Sequence, residues 1–217
     1  SGTVDNINAK KFILQYGNDT RLDGDIRITG LPDIEKTFID FQSNDFRTTY
    51  KDAVSFVPAI KDITNPNISE LGYLRFKGKY TGFIRNFTAY GTLETALGTV
   101  TTDIKMKLPE NKSPTYSGKV ETASFNLGKF LGRTDVGVIA CNGELSGSGF
   151  NTTTAVAKVN GTVRSFFWND YNFQNVTLTG DLKEKQFTGD GVIDDPNLKA
   201  TLKGSFNLNA DEPEYNL

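Results

Sequence analysis

The chain has 217 residues, 24 basic against 26 acidic side chains, a net charge of -2, one cysteine and no histidine. Charges so balanced and scattered create no field for a nucleic-acid backbone, which excludes nucleic acid as an expected partner. The missing histidine excludes Ser-His-Asp and Cys-His nucleophiles and every histidine-containing zinc site, while the single Cys141 excludes intrachain disulfides and cysteine clusters.

In chain order, alternating apolar and polar residues predict strands over residues 10–16, 25–29 and 37–42. A short amphipathic helix follows over 48–57, opened by the capping hydroxyls of Thr48 and Thr49 and bringing Val54, Val57 and Ile60 together. Residues 61–70, with Asn65-Pro66-Asn67, read as a loop between a first group of strands and a longer meander. Strands then follow over 72–81, 87–94, 99–108, 115–122, 136–145, 154–165, 171–182, 187–193 and 198–208, with one helical turn over 125–132 closed by Gly132. The expected organisation is residues 1–62 as N-terminal strands plus a short helix, a loop over 63–70, an antiparallel meander over 71–209 and a tail over 210–217, all in one continuous domain.

These strands are one-sided. Val100, Thr102, Ile104, Met106 and Leu108 alternate with Thr101, Asp103, Lys105 and Lys107, and Leu198, Ala200, Leu202, Gly204, Phe206 and Leu208 repeat the rule. An oily face needs a cover, which is a second sheet, the same sheet folded over, a helix or a lipid. Both predicted helices are too short to cover ten or so strands. Glycines at 78, 91, 118, 143, 161, 180, 191 and 204 fall on the oily register, where they bend the sheet or leave room for something.

No catalytic constellation emerges, so the chain reads as a non-enzyme without cofactor or metal. Cys141, within Val138-Ile139-Ala140-Cys141, reads as a small strand hydrophobe. Carboxylate-only chemistry stays open, for example a glycosidase-type pair drawn from Glu184, Asp190, Asp194 or Asp195, but their turn-rich setting favours acids that hydrogen-bond their own backbone. Asp23-Gly24-Asp25 and Asp190-Gly191 lack the ligand series of a calcium loop, and Glu144-Leu145-Ser146-Gly147-Ser148-Gly149 lacks the Lys-Ser/Thr of a phosphate cradle. Asn-x-Ser/Thr sequons, among them those at Asn18, Asn67, Asn86, Asn151, Asn160 and Asn175, reflect the Asn- and Thr-rich composition. Trp168 tops an aromatic hairpin cluster, which reads as rim packing or as a platform for sugar. No stretch approaches the ~20 apolar residues that cross a bilayer. Ser1-Gly2 reads as a cloning remnant, so any natural leader or anchor is expected to lie outside this sequence.

Leu71-Gly72-Tyr73-Leu74-Arg75-Phe76-Lys77-Gly78-Lys79-Tyr80-Thr81-Gly82-Phe83, followed by Asn86-Phe87-Thr88-Ala89-Tyr90-Gly91-Thr92-Leu93-Glu94-Thr95-Ala96-Leu97-Gly98, resembles the large AsmA-like proteins related to TamB, in their Bacteroidetes-type form. Tyr116-Ser117-Gly118-Lys119-Val120, Phe125-Asn126-Leu127-Gly128-Lys129-Phe130-Leu131 and Leu145-Ser146-Gly147-Ser148-Gly149 continue that order of strand, short turn and Gly-rich strand. The resemblance spans most of residues 71–208 and, more loosely, 10–57. It implies a periplasmic, taco-like β-groove in a protein anchored in the inner membrane, whose partners are phospholipid acyl chains and an outer-membrane β-barrel protein. The family's membrane anchor and far C-terminal region are not evident, so the chain resembles an internal segment.

The expected fold class is thus all-β: an extended, curved antiparallel sheet folded as a groove, with one or two short helices. The expected function is shielding or conducting phospholipid acyl chains between the two membranes, or aiding outer-membrane assembly. The alternative is a β-sandwich or β-barrel module that binds carbohydrate or protein. From the alternation itself, the expected groove-lining residues are Leu74, Phe76, Tyr80, Phe87, Leu93, Val100, Ile104, Met106, Val120, Val138, Val163, Phe173, Leu178, Phe187, Ile193, Leu202 and Phe206.

Overall fold

The computed structural model of the protein describes residues 5–56, 58–64, 66–110, 112–149, 155–207 and 215–216. Its strands are β1 (Asn6–Tyr16), β2 (Thr20–Thr29), β3 (Phe38–Thr49), β4 (Tyr73–Phe83), β5 (Asn86–Thr95), β6 (Gly98–Lys107), β7 (Thr115–Asn126), β8 (Val136–Ser148), β9 (Val156–Trp168), β10 (Tyr171–Lys183), β11 (Gln186–Asp194), β12 (Lys199–Asn207) and the two-residue β13 (Tyr215–Asn216). Two helices interrupt them, α1 (Tyr50–Phe56) after β3 and α2 (Leu127–Leu131) after β7.

Every strand pairs antiparallel with the next, so the order in the sheet is the order in the sequence. The protein is all-β, one open curved sheet with two short helices. β1 does not pair with β12 and the described strands form no second sheet, so neither the sandwich nor the closed barrel of the alternative expectation is built. The described strands of the expected 71–209 meander and the first strands share this sheet, because β3 pairs with β4 across the loop that separates them in sequence.

Several strands run past their expected bounds because bulges switch which parity faces the oily side. In β1, Lys11 adopts a φ of 52° between Ala9 and Phe12, its N–H donating to Asp25 Oδ1. In β3, Ser43 and Phe46 oppose Gly78 and Phe76, so Asn44 and Asp45 form an irregularity beyond which Phe46 and Thr48 carry on. A further shift between Thr122 and Phe125 extends β7.

Both helices sit at the strand ends reached by the odd-numbered strands. α1 starts where Thr49 Oγ1 accepts the Asp52 N–H at 3.2 Å, and Val54 is its buried residue; Val57, expected beside it, lies outside the described residues. Asn126 Oδ1 accepts the Lys129 N–H at 3.0 Å to open α2, and Gly132 closes it at a φ of 66°. The two are joined through the segment after α1: the Asn67 N–H donates to the Phe130 carbonyl at 2.7 Å, and the Ala96 N–H to Leu71 at 3.0 Å. Val54, Leu97, Phe125 and Val136 are buried along this rim, with Phe125 and Phe130 edge-to-face at 5.5 Å.

Away from that rim few apolar side chains are fully buried. The accessible surface is 13647 Å². A compact monomer of 23.9 kDa would expose about 9,900 Å². The difference is what a single uncovered layer predicts. No described helix is long and apolar enough to cross a membrane.

Candidate functional site

Register assembles the apolar face into rows running across the sheet. One row passes through Gly24, Ser43, Gly78, Gly91, Thr102, Val120, Gly143, Gly161, Leu178, Gly191 and Leu202, each opposite the next. The adjacent row carries Ile26, Phe41, Tyr80, Ala89, Ile104, Gly118, Leu145, Val159, Gly180, Gly189 and Gly204. Small residues therefore concentrate along one middle band of the strands, flanked by rows of Phe, Leu, Met and Tyr.

Two readings of the in-register glycines, bending or making room, are separated by what a side chain there would meet. A Cβ on Gly118, at a φ of 149°, would lie inside contact distance of the Asp103 carbonyl oxygen and 2.8 Å from Ile104 Cα. Gly78 and Gly91 oppose each other so closely that a Cβ on the first falls 2.6 Å from the second's Cα. These glycines therefore let neighbouring backbones approach and the strands bend; they do not open space for a ligand. Gly191 differs, since its Cβ would meet only the Leu178 and Leu202 side chains at 3.3 and 3.8 Å and the Thr177 carbonyl at 3.7 Å.

Along this face the apolar register is half-buried while the opposite register is exposed, as in β6 and β10. Burial pushes the Tyr80 phenol up to about 12 and raises that of Tyr116 as well. Tyr80 also stacks on Phe87 at 4.9 Å and donates to the Phe83 carbonyl at 3.1 Å.

Of the seventeen residues expected to line a groove, register brings fifteen onto this face, from Leu74 in β4 to Phe206 in β12. The Phe206 side chain lies outside the described residues. Val138 does not join them: it is 39% exposed and sits in the stretch of β8 where register slips between Val136 and Ile139, so alternation no longer assigns its face. Phe173 lies beyond Asn175, whose φ of 51° marks where the half-buried positions of β10 change from even to odd residues, so strict alternation misses Phe173 although it is half-buried too; it packs against Tyr171 at 4.7 Å and Trp168 at 6.2 Å. The expected set omitted Tyr116, Leu145, Val159, Val176 and Leu182, which alternation alone would have found, and Ile26, Ile39 and Phe41, which need the β2 and β3 register.

A broad concavity opens among residues of the other register. It holds about 700 Å³ over β5 to β10, and its walls combine polar-register residues, Asp103, Lys105, Lys119, Glu144, Lys158 and Asp181 among them, with Gly118, Leu145, Val159 and Gly180 of the apolar row. None of the seventeen expected residues lines it. Lys119 pairs with Glu144 and Lys158 with Asp181, each at 3.3 Å, so most of its charge is self-neutralised in open solvent.

The remaining candidates have partners within the chain. Asp190 pairs with Lys203 at 4.0 Å and Asp194 with Lys199 at 3.0 Å. Asp23 pairs with Arg21 at 3.0 Å. Trp168, 38% exposed, donates to Asp135 at 3.3 Å while packing on Phe173, which is rim packing. Cys141 is half-buried and its thiol is pushed up by burial, as for an inert strand hydrophobe.

Asp195, 1% exposed, accepts from the Tyr171 hydroxyl, the Gln174 N–H at 2.8 Å and the Asn197 N–H at 2.9 Å, tying the β11–β12 turn to β10. The Tyr171 hydrogen bond, then the Asn197 and Gln174 amides, hold its carboxyl below the usual 3.8. A depressed folded-state pKa stabilises the fold above the unfolded value, and that stabilisation is lost as pH falls through the folded one. Asp195→Asn is therefore expected to lower the thermal midpoint at pH 7 by a few degrees, with the gap to wild type closing below pH 3.8. A gap unchanged from pH 7 to pH 3 would remove the carboxylate from the account.

Comparison of the chain with protein-family models, with curated proteins and with solved structures yields no match.

Proposed function

We propose that this chain is a non-enzymatic segment of a cell-envelope β-groove that shields phospholipid acyl chains and passes them along its length. The observation that carries this reading is the continuous apolar face of twelve strands with no second layer over it among the described residues. At the 4.7–4.9 Å spacing of strands, that face is roughly 50 Å long measured along the sheet. Contiguous apolar patches far smaller than this mark interaction sites. Each methylene buried on it contributes ~0.8 kcal/mol whichever lipid carries it, so binding needs length rather than a specific pocket.

The resemblance to AsmA-like proteins supports the same reading and supplies its setting: the periplasm, within a protein anchored in the inner membrane, delivering lipid toward the outer membrane or assisting a β-barrel partner there. Native mass spectrometry after gentle purification is expected to find phospholipid, and a photo-crosslinker at Ile104 or Leu202 to capture it. The same crosslinker at Lys119, on the polar register, is expected to capture none. Lipid-free protein that crosslinks at Leu202 only to a second protein copy overturns the proposal.

A further inference from the structure

Beneath the segment joining β3 to β4 lies an apolar pocket of about 150 Å³, lined by Ala53 of α1, by Ile60, Ile68 and Leu71 of the turns that follow, and by Leu74. We propose that this pocket receives the methyl end of an acyl chain lying on the apolar face, which rests on the lipid reading above and adds a polarity to it. The pocket is dry by construction. Of its two threonines, Thr48 shares its hydroxyl with that of Thr20 at 2.8 Å and Thr49 accepts the Asp52 N–H, so both hydroxyls are already engaged and the lining is almost wholly apolar. A water would need two to four polar partners there, whereas apolar cavities of this size stay empty of water and take small apolar guests.

Its position favours a chain end over a whole ligand. At about 30 Å³ per water-sized group the space holds roughly five such groups, enough for a chain end and not for a whole lipid. Leu74 both lines the pocket and opens the apolar register of β4, opposite Thr48 and Thr95, so the pocket is continuous with the face. Its walls are fixed in advance: the Tyr50 N–H donates to Gly72 at 2.8 Å, and the Asn67 N–H ties the segment to α2. A headgroup finds no polar partner inside, so the chain's polar end lies away from the helix-bearing rim.

The test uses stearic acid carrying a nitroxide near its methyl end or near its carboxyl, read by methyl NMR of the intact chain. The methyl-end label is expected to broaden Ile60, Ile68 and Leu71 several-fold more than the carboxyl-end label does. Ala53→Phe, which fills the pocket from α1, is expected to abolish that difference while Ile104 stays broadened; Ala53→Leu serves if the larger ring disturbs the helix. Equal broadening by both labels at Ile60, Ile68 and Leu71, with Ile104 still responding, overturns the pocket and leaves the lipid face standing. Absence of broadening at Ile104 with either label overturns both readings, whatever the pocket residues show.

Discussion

Gly118→Ala is expected to cost about 3 kcal/mol of stability or more, the range of strain-dominated substitutions at positions reserved for glycine. At a φ of 149° the added Cβ would point in the plane of the sheet, into the Asp103 carbonyl oxygen and within 2.8 Å of Ile104 Cα. Both obstacles are backbone, held by the β6–β7 ladder, so neither yields as a flexible side chain would. Relief requires either widening that ladder or flattening the bend, and a single-layer sheet has no thick core against which to offset the loss. Gly191→Ala is the matched control: its Cβ meets the far end of the Leu178 side chain at 3.3 Å, and a change within about 1 kcal/mol is expected. Urea unfolding of the two variants decides the matter. Equal losses would mean that the glycine band is not a bending device.

The same geometry explains what was legible in the sequence. Strands that keep one parity from end to end, such as β6 with Val100, Thr102, Ile104 and Met106, announce both their extent and their oily side. Strands that switch parity do not. The expected third strand stopped at Gln42 because Asn44 and Asp45 interrupt the alternation, although Phe46 and Thr48 rejoin the same ladder beyond them. The first strand was expected at Lys10 rather than Asn6 for the same reason, the left-handed Lys11 standing between Ala9 and Phe12. Val138 was assigned to the oily face by local apolarity in a segment where register slips on one side.

The glycines were legible as an anomaly, yet their meaning depends on strands far apart in sequence. That Gly78 faces Gly91, and Gly143 faces Gly161, is a property of pairing and not of any one strand. The pocket under the β3–β4 segment was equally hidden, since it needs Ala53, Ile68 and Leu74 brought together from a stretch that reads as a short helix and a loop.

Ile104→Arg is expected to reduce captured phospholipid at least about tenfold, the equivalent of 1.4 kcal/mol, while leaving the fold intact. Ile104 stands mid-face in β6, opposite Ala89 and Gly118, half-buried rather than enclosed. A guanidinium there swings into solvent when the face is empty, so the free protein changes by roughly 0.5 kcal/mol or less, as at other uncovered positions. With an acyl chain seated, the same charge must either lose its water or displace the chain, and desolvating a charge without a partner costs far more than one methylene contributes. Unfolding and lipid loss therefore separate at this residue, whereas in a closed core they would fall together. Native mass spectrometry and urea unfolding of the one variant read the two quantities independently. A variant that keeps its lipid, or that loses stability as a core arginine would, places Ile104 inside protein and not against lipid.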